Sequence, residues 1–283
     1  MPYRTGYEEV IGGRVDDLFV VTADDEGKVI AVNDKYLTVE YKTLGKKVYE
    51  LGVTHGTVSG TTIPHNRITD LKVGHEFKAK DALIFNSGFF QRSELNPNNV
   101  IYKHGIIAKV AFMENCSTLE DGNVVSHELA EKLVTPGTTL HAVVVDFDII
   151  IHNLITTGHK VDPETILCTM ENFISHDIEA KDAEAIKALT RISANNPKAK
   201  VYGVVSNIEV VYFGNLEDMH HTLQQIVTKY DNLRAKRVNT LGIDEAKIGQ
   251  VKETIRVAGK KLLQNQVAIK IYIDGEISHN MGD

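Results

Sequence analysis

The sequence predicts a mainly β fold with α insertions, of the α+β class, from three observations. Short runs rich in β-branched and aromatic residues recur along the chain, separated by turn residues such as Asp24-Asp-Glu-Gly27. Helical spacing of apolar residues is limited to a few segments, the longest of which is residues 216–263. In the final strand four apolar residues alternate and would share one face: Val267, Ile269, Ile271 and Ile273.

Two groups of strands are predicted to form hairpins like those of a barrel-sandwich. The first group has polar turns between its runs and comprises residues 18–22, 28–32 and 36–41. The second group has the same pattern and comprises residues 199–205 and 207–213. Two further stretches are also rich in β-forming residues, namely residues 103–113 and 139–151.

A short internal repeat suggests two related β units. Residues 74–83 read Gly-His-Glu-Phe-Lys-Ala-Lys-Asp-Ala-Leu, and residues 158–167 read Gly-His-Lys-Val-Asp-Pro-Glu-Thr-Ile-Leu. Each segment combines a glycine turn, a β residue, a polar turn and a returning strand. We therefore expect the two segments to share their local structure.

Helices are predicted at four places. A short helix follows the capping residue Ser126 and reaches residue 133, and a second covers residues 181–192. Residues 216–234 carry apolar residues at spacings of three and four, which is typical of an amphipathic helix, and residues 244–263 have a similar stripe. We expect the last two to form a helical hairpin joined by the basic loop Arg234-Ala-Lys-Arg237.

The composition is that of an ordinary soluble globular protein. No apolar run reaches the roughly 18 residues of a membrane span, and no phosphate-binding glycine loop or nucleophile-elbow motif is present. The 283 residues carry a net charge of −7, so nucleic-acid contacts would be local or completed by another chain. Two isolated cysteines, Cys116 and Cys168, and the lack of an apolar leader predict a cytoplasmic protein.

An acidic pair is the first candidate site. Glu120 and Asp121 are adjacent carboxylates, a combination that suits a hard cation such as Mg²⁺. Neighbouring residues of a regular strand point to opposite faces, so joint use of the two side chains requires a turn, which Gly122 favours. The alternative is an exposed acidic turn without a ligand.

Basic residues and histidines form the second set of candidates. Arg234, Lys236 and Arg237 at the expected hairpin tip could contact a phosphate backbone, and the alternative is a solvated loop. Among the twelve histidines, His220 and His221 would point about 100° apart on a helix and would chelate a metal poorly together. Neither cysteine has a CxxC context, so neutral or buried thiols are expected rather than nucleophiles.

Several segments, taken in order, resemble the β subunit of cellular-type, multi-subunit DNA-directed RNA polymerase. The most specific parts are Val110-Ala-Phe-Met113, Glu120-Asp121, Val125-Ser-His-Glu128 and the final strand that ends in Gly282-Asp283. The other matching segments are residues 5–8, 27–41, 73–83, 158–167 and 203–205. The resemblance covers nearly the whole chain, and its divergence suggests a phage-encoded or otherwise remote polymerase.

The resemblance implies a fold and a role for each part of the chain. Residues 1–100 would be a β-rich sandwich and hybrid-binding part, residues 101–154 the first part of a double-psi β-barrel, residues 155–265 a flap-like insertion with the helical hairpin, and residues 266–283 the return strand. The barrel would be incomplete within this chain. Glu120 and Asp121 would assist two-metal nucleotidyl transfer through water, near the second Mg²⁺ and the incoming nucleotide.

The resemblance also implies partners. A β′-like largest subunit would hold the primary Mg²⁺, and the remaining β segment, the DNA template and the RNA would complete the active centre. An initiation factor could bind the flap. The spacing from Met113 to Glu120 is one residue shorter than the common bacterial pattern, and the lysines that follow Gly-Asp in the family are not in this sequence.

We therefore expect a fragment or a split β subunit that serves DNA-templated RNA synthesis and is inactive alone. One alternative is a non-catalytic, β-rich binding module that docks on a polymerase or another assembly. A stand-alone barrel enzyme is a third interpretation, but the sequence has no self-contained catalytic set to support it.

Overall fold

A computed structural model describes residues 6–7, 10–58, 61–103, 105–112, 124–171 and 196–277. The chain folds into two compact units: Met1–Gly137 with Glu276–Asp283, and Thr138–Gly275. We call them unit 1 and unit 2. Both are built mainly from β-strands, as the sequence predicts. The boundaries predicted near residues 100, 154 and 265 stay predictions. In the described ranges, no helix is both long enough and apolar enough to cross a membrane.

Unit 1 consists of antiparallel β structure. Its strands are β1 (Val20–Thr22), β2 (Gly27–Val32), β3 (Tyr36–Tyr41), β4 (Gly45–Glu50), β5 (Gly52–Val58), β6 (Thr61–Ile68), β7 (Glu76–Phe77), β8 (Ala82–Asn86), β9 (Phe90–Arg92) and β10 (Val100–Tyr102). One sheet has the order β1-β8-β6-β5, and a second has the order β4-β3-β2-β7. Strands β9 and β10 form a separate pair. The unit also holds helix α1 (His127–Lys132) and a 3-10 turn at Ile11–Gly13.

Unit 2 is a sheet with one long helix packed on it. Its strands are β11 (Thr135–Asp146), β12 (Ile150–His152), β13 (Lys160–Val161), β14 (Thr169–Glu171), β15 (Gly203–Phe213), β16 (Ile255–Val257), β17 (Lys260–Leu262) and β18 (Gln266–Ile277), and its helix is α2 (His221–Leu241). The main sheet has the order β11-β18-β15-β13, while β12 pairs with β14 and β16 with β17. A 3-10 turn at Leu216–Asp218 precedes α2.

The core of unit 2 confirms the predicted face of the final strand. Four alternating residues of β18 have at most 1% exposure and belong to one apolar cluster: Val267, Ile269, Ile271 and Ile273. Helix α2 contributes Leu223 and Val227, both fully buried, to the same cluster. Because the cluster joins the sheet to the helix, the final strand is central to the stability of unit 2.

The core of unit 1 lies around the second sheet. Leu37 and Val39 of β3 are fully buried in a cluster with Leu83 of β8. The cluster contains a polar contact, because the Tyr41 and Tyr49 hydroxyls lie 2.7 Å apart. Burial, together with this hydrogen bond, raises the pKa of Tyr41, so its hydroxyl stays neutral.

The predicted strands of the first hairpin group are confirmed, but the second group is a single strand. Strands β1, β2 and β3 lie within the predicted ranges or differ by one residue. Residues 199–213 instead contain the continuous strand β15. Its pairing with β18 shifts register between Val205 and Asn207, so Ser206 forms a β-bulge where the sequence suggested a break.

The predicted helical hairpin over residues 216–263 is wrong. Helix α2 continues through Arg234 and Arg237 and ends at Gly242, which has the left-handed conformation (φ 65°) of a helix C-cap. The second half contains the short strands β16 and β17, because its β-branched residues alternate and pack on the main sheet. The predicted helix at residues 181–192 lies outside the described residues.

The predicted short helix is confirmed as α1. Ser126 is its N-cap, and the Ser126 hydroxyl accepts a hydrogen bond from the Leu129 N–H at 3.3 Å. None of the residues in α1 is buried. Local capping therefore defines where this helix begins, without support from a core.

The two segments of the internal repeat adopt the same hydrogen-bonded structure, as predicted. Gly74 and Gly158 both have positive φ, at 90° and 86°. The Gly74 N–H donates to the Val29 carbonyl at 2.9 Å, and the Gly158 N–H donates to the Val205 carbonyl at 2.7 Å. Each valine N–H in turn donates to the carbonyl of the histidine that follows the glycine, at 2.9 Å in both units.

The strands that pair with these segments correspond as well. Gly27 pairs with the last residue of β7, and Gly203 pairs with the last residue of β13. Three residues further on, each strand has a bulge, at Ile30 and at Ser206. The glycine-histidine segment follows β2 and β3 in unit 1 but precedes β15 and β18 in unit 2. The two units therefore share one β motif in two chain orders.

The neutral thiol expected at Cys168 is confirmed. This residue is fully buried in unit 2, and burial raises the pKa of its thiol to about 11. Cys116 lies outside the described residues.

We predict that folding protects Cys168 from alkylation. In a Cys116→Ser variant at pH 8, iodoacetamide should modify Cys168 at least about 100-fold more slowly in the folded protein than in urea, because each pKa unit lowers the thiolate fraction about tenfold. Mass spectrometry of quenched samples measures the rate. Equal rates with and without urea would contradict the buried position.

Candidate functional site

The predicted acidic pair lies outside the described residues. Glu120 and Asp121 fall in the interval between Phe112 and Val124, and the structure describes the chain on both sides of it. On the C-terminal side, the Ser126 cap begins α1. The Mg²⁺-related role of the pair stays a prediction.

The stretch before this interval does not form its predicted strand. Residues 105–112 have no regular secondary structure. Ile107, Val110 and Phe112 are 93%, 74% and 99% exposed. The prediction of β structure over residues 103–113 is therefore wrong for residues 105–112, because a strand requires a paired backbone and these residues have no neighbouring strand among the described residues.

The same stretch retains the sequence pattern of a strand. Alternate positions carry Ile106, Ala108, Val110 and Phe112, which would form an apolar face in an extended conformation. A contiguous exposed apolar surface is typical of an interaction site. An extended segment can also acquire its missing hydrogen bonds by pairing with a strand of another chain. We therefore regard residues 105–112 as a candidate docking strand.

The predicted nucleic-acid-binding residues lie on helix α2 instead of on a loop tip. The Arg234 guanidinium donates to the Val210 and Ile248 carbonyls, both at 3.4 Å. Arg237 forms an ion pair with Glu245 at 3.3 Å. Lys236 is exposed. Arg234 thus connects α2 to neighbouring segments, and the structure does not bring the three cations to one binding tip.

A polar network holds the segment after α2 against strand β15. The Gly249 N–H donates to the Asp231 carboxylate at 2.6 Å, and the Tyr212 N–H donates to the Gly249 carbonyl at 3.0 Å. A side chain at Gly249 would place a Cβ atom 2.3 Å from the Val210 carbonyl oxygen. These contacts explain why residues 244–251 follow the sheet instead of forming a second helix.

Sequence reasoning missed a basic hairpin formed by β16 and β17. Ala258 and Gly259 both have positive φ, at 46° and 81°, as in a two-residue type I′ turn. Arg256 lies directly opposite Lys261, and Lys260 follows the turn. The sequence signal was the Ala-Gly pair between β-branched residues and two adjacent lysines.

Two histidines, His220 and His65, occupy structural positions. His220 is the N-cap of α2, with its Nδ1 accepting from the Thr222 N–H at 3.3 Å. His65 is buried and its Nδ1 lies 2.9 Å from the Asn86 amide nitrogen. Burial lowers the pKa of His65, so the neutral imidazole accepts this hydrogen bond. Among the described side chains, no group of three His, Cys, Asp or Glu residues converges as a metal site.

No family model matches the chain, and no curated protein has a significantly similar sequence.

Proposed function

We propose that this chain is a fragment or split β subunit of a multi-subunit DNA-directed RNA polymerase. The collinear sequence segments that resemble this subunit support the proposal. The observation that carries it is the exposed stretch of residues 105–112, in which Val110 and Phe112 are 74% and 99% exposed. Such residues would be buried if another segment supplied the neighbouring strands of a double-psi β-barrel.

In this proposal the chain contributes part of an active-centre cleft in the cytoplasm. Glu120 and Asp121 would hold water near the second Mg²⁺ and the incoming nucleotide. The bound Mg²⁺ ions would stabilise the attacking and leaving oxygens of nucleotidyl transfer. The β′-like subunit would supply the aspartate ligands, and the remaining β segment would supply the lysines that contact RNA phosphate.

The decisive experiment is reconstitution with a β′-like subunit and the remaining β segment. The assembly should incorporate NMP in a template-dependent reaction, whereas this chain alone should not. A Glu120→Ala/Asp121→Ala variant should assemble normally but incorporate NMP at least about tenfold more slowly, since indirect carboxylate partners of a metal centre typically contribute 10–100-fold.

A matched control is available in the exposed pair Glu217 and Asp218 of unit 2, which has the same residue types in the same order. The Glu217→Ala/Asp218→Ala variant should retain full activity. Unchanged activity after replacement of Glu120 and Asp121 would refute their role. Binding to a polymerase without any contribution to incorporation would instead favour the β-rich binding module, which the exposed apolar stretch also supports.

A further inference from the structure

The β16–β17 hairpin carries unneutralised positive charge on its outer face, at Arg256 and Lys261, and beside its turn, at Lys260. Arg256, Lys260 and Lys261 are all exposed. In the described part of the chain, no carboxylate forms an ion pair with any of the three. The whole stretch from residue 254 to residue 273 has no acidic residue, although the protein has a net charge of −7. The hairpin is therefore a local basic site on an acidic protein.

The inner face of the hairpin fixes these cations in place. Val257 and Leu262 are 2% and 0% exposed and pack with Val211 and Ala268 of the main sheet. This apolar anchor aligns the opposite side of the hairpin with solvent, since successive residues of a strand point to opposite faces. Arg256 and Lys261 share this solvent-facing side, whereas Lys260 pairs with Val257 and is exposed beside the turn. The backbone that carries the three cations is consequently held by a packed scaffold, which reduces the entropy lost on binding a ligand.

The pairing of Arg256 with Lys261 is unfavourable in the free protein. Directly opposed side chains of an antiparallel pair have Cβ atoms about 5 Å apart, and like charges at this position destabilise the pair. A bound anion would remove the repulsion. Phosphate groups suit the site because arginine and lysine form charge-assisted hydrogen bonds with them.

We propose that this hairpin binds the phosphate backbone of duplex DNA. Single-stranded nucleic acids are usually bound by cations combined with aromatic residues on which bases stack. The stretch from residue 254 to residue 271 has no aromatic residue, so contact with the backbone of a duplex fits better. Backbone contacts carry no sequence information, and the site would hold DNA without selecting a sequence. The inference does not rest on the polymerase proposal, because it concerns binding by this chain alone.

Fluorescence anisotropy with a labelled duplex of about 20 base pairs tests the site at about 50 mM salt. The wild-type chain should bind, and the variant Arg256→Ser/Lys260→Ser/Lys261→Ser should bind at least about tenfold more weakly. Its plot of log affinity against log salt should be shallower by about 2.7, because each lost phosphate contact removes about 0.9. The charge-retaining variant Arg256→Lys/Lys260→Arg/Lys261→Arg should bind as the wild type does.

A matched control removes three lysines from another hairpin. Lys42 and Lys47 form ion pairs with Glu26 and Asp24, and Lys46 lies opposite Glu40. The variant Lys42→Ser/Lys46→Ser/Lys47→Ser makes the same change in net charge and should bind DNA more tightly than the hairpin variant does. The proposal is overturned if the two variants lose affinity equally, or if the wild type does not bind the duplex. Tighter binding of single-stranded DNA or of an acidic peptide would also overturn it.

Discussion

A Gly203→Ala substitution is expected to lower the free energy of unfolding by about 1–3 kcal/mol, the usual cost of overpacking. The added Cβ atom would lie 2.5 Å from the Asp274 carbonyl oxygen and 2.8 Å from the Ile273 side chain. Both neighbours belong to β18, so the strand pair would have to separate. Urea denaturation measures the loss, and hydrogen exchange should show faster opening of β15 and β18.

The equivalent glycine of unit 1 should behave in the same way. A Cβ atom at Gly27 would lie 2.4 Å from the Glu40 carbonyl oxygen and 2.8 Å from the Phe77 ring. The matched control is Gly13→Ala, because nothing lies within 4 Å of a Cβ atom there and its φ is not positive. The control should change stability by less than about 0.5 kcal/mol. If Gly203→Ala is as stable as this control, the close approach of the two strands is wrong.

Replacement of Ile271 by alanine is the second large effect that we expect. Ile271 is fully buried at the centre of β18, within the apolar cluster that joins the main sheet to α2. The substitution removes buried methyl groups and leaves a cavity, which should lower the free energy of unfolding by about 2–5 kcal/mol. Urea denaturation followed by circular dichroism measures this change.

The same strand supplies the control for this substitution. Ile277 lies at the end of β18 and is 63% exposed. An Ile277→Ala variant should lose less than about 0.5 kcal/mol of stability in the isolated chain. Equal losses at the two positions would mean that β18 is not buried as described. The comparison holds residue type and strand constant, while the two side chains differ in burial.

Local sequence patterns predicted a strand correctly where the flanking turn residues and the alternation of apolar residues both indicate a strand. Strand β3 has the predicted bounds, and the alternating residues of β18 face the core. The segment after α2 was misassigned because Ile248, Val251 and Ile255 fit helical spacing, while Ile255 and Val257 also fit a strand. Packing of Val257 on the main sheet favours the strand, and such a long-range contact is not visible in a short window of sequence.

The candidate sites depend even more than the strands do on contacts between residues that are far apart in the sequence. Arg234 was predicted to meet a ligand, but the carbonyls that it contacts belong to residues 14 and 24 positions away in the chain. For residues 105–112 the sequence gives the alternation of a strand, whereas strand formation requires a partner backbone. The opposed charges of Arg256 and Lys261 follow from the register of the β16–β17 hairpin. A helical interpretation of this segment does not predict that the two side chains face each other.

The two chain orders of the shared β motif bear on how its parts can be connected. The same backbone hydrogen bonds form whether the glycine-histidine segment is synthesised before or after the strands that receive it. The backbone hydrogen bonds of the motif are thus compatible with either chain order. A break in a loop of the motif would therefore leave unchanged the backbone groups that form these hydrogen bonds.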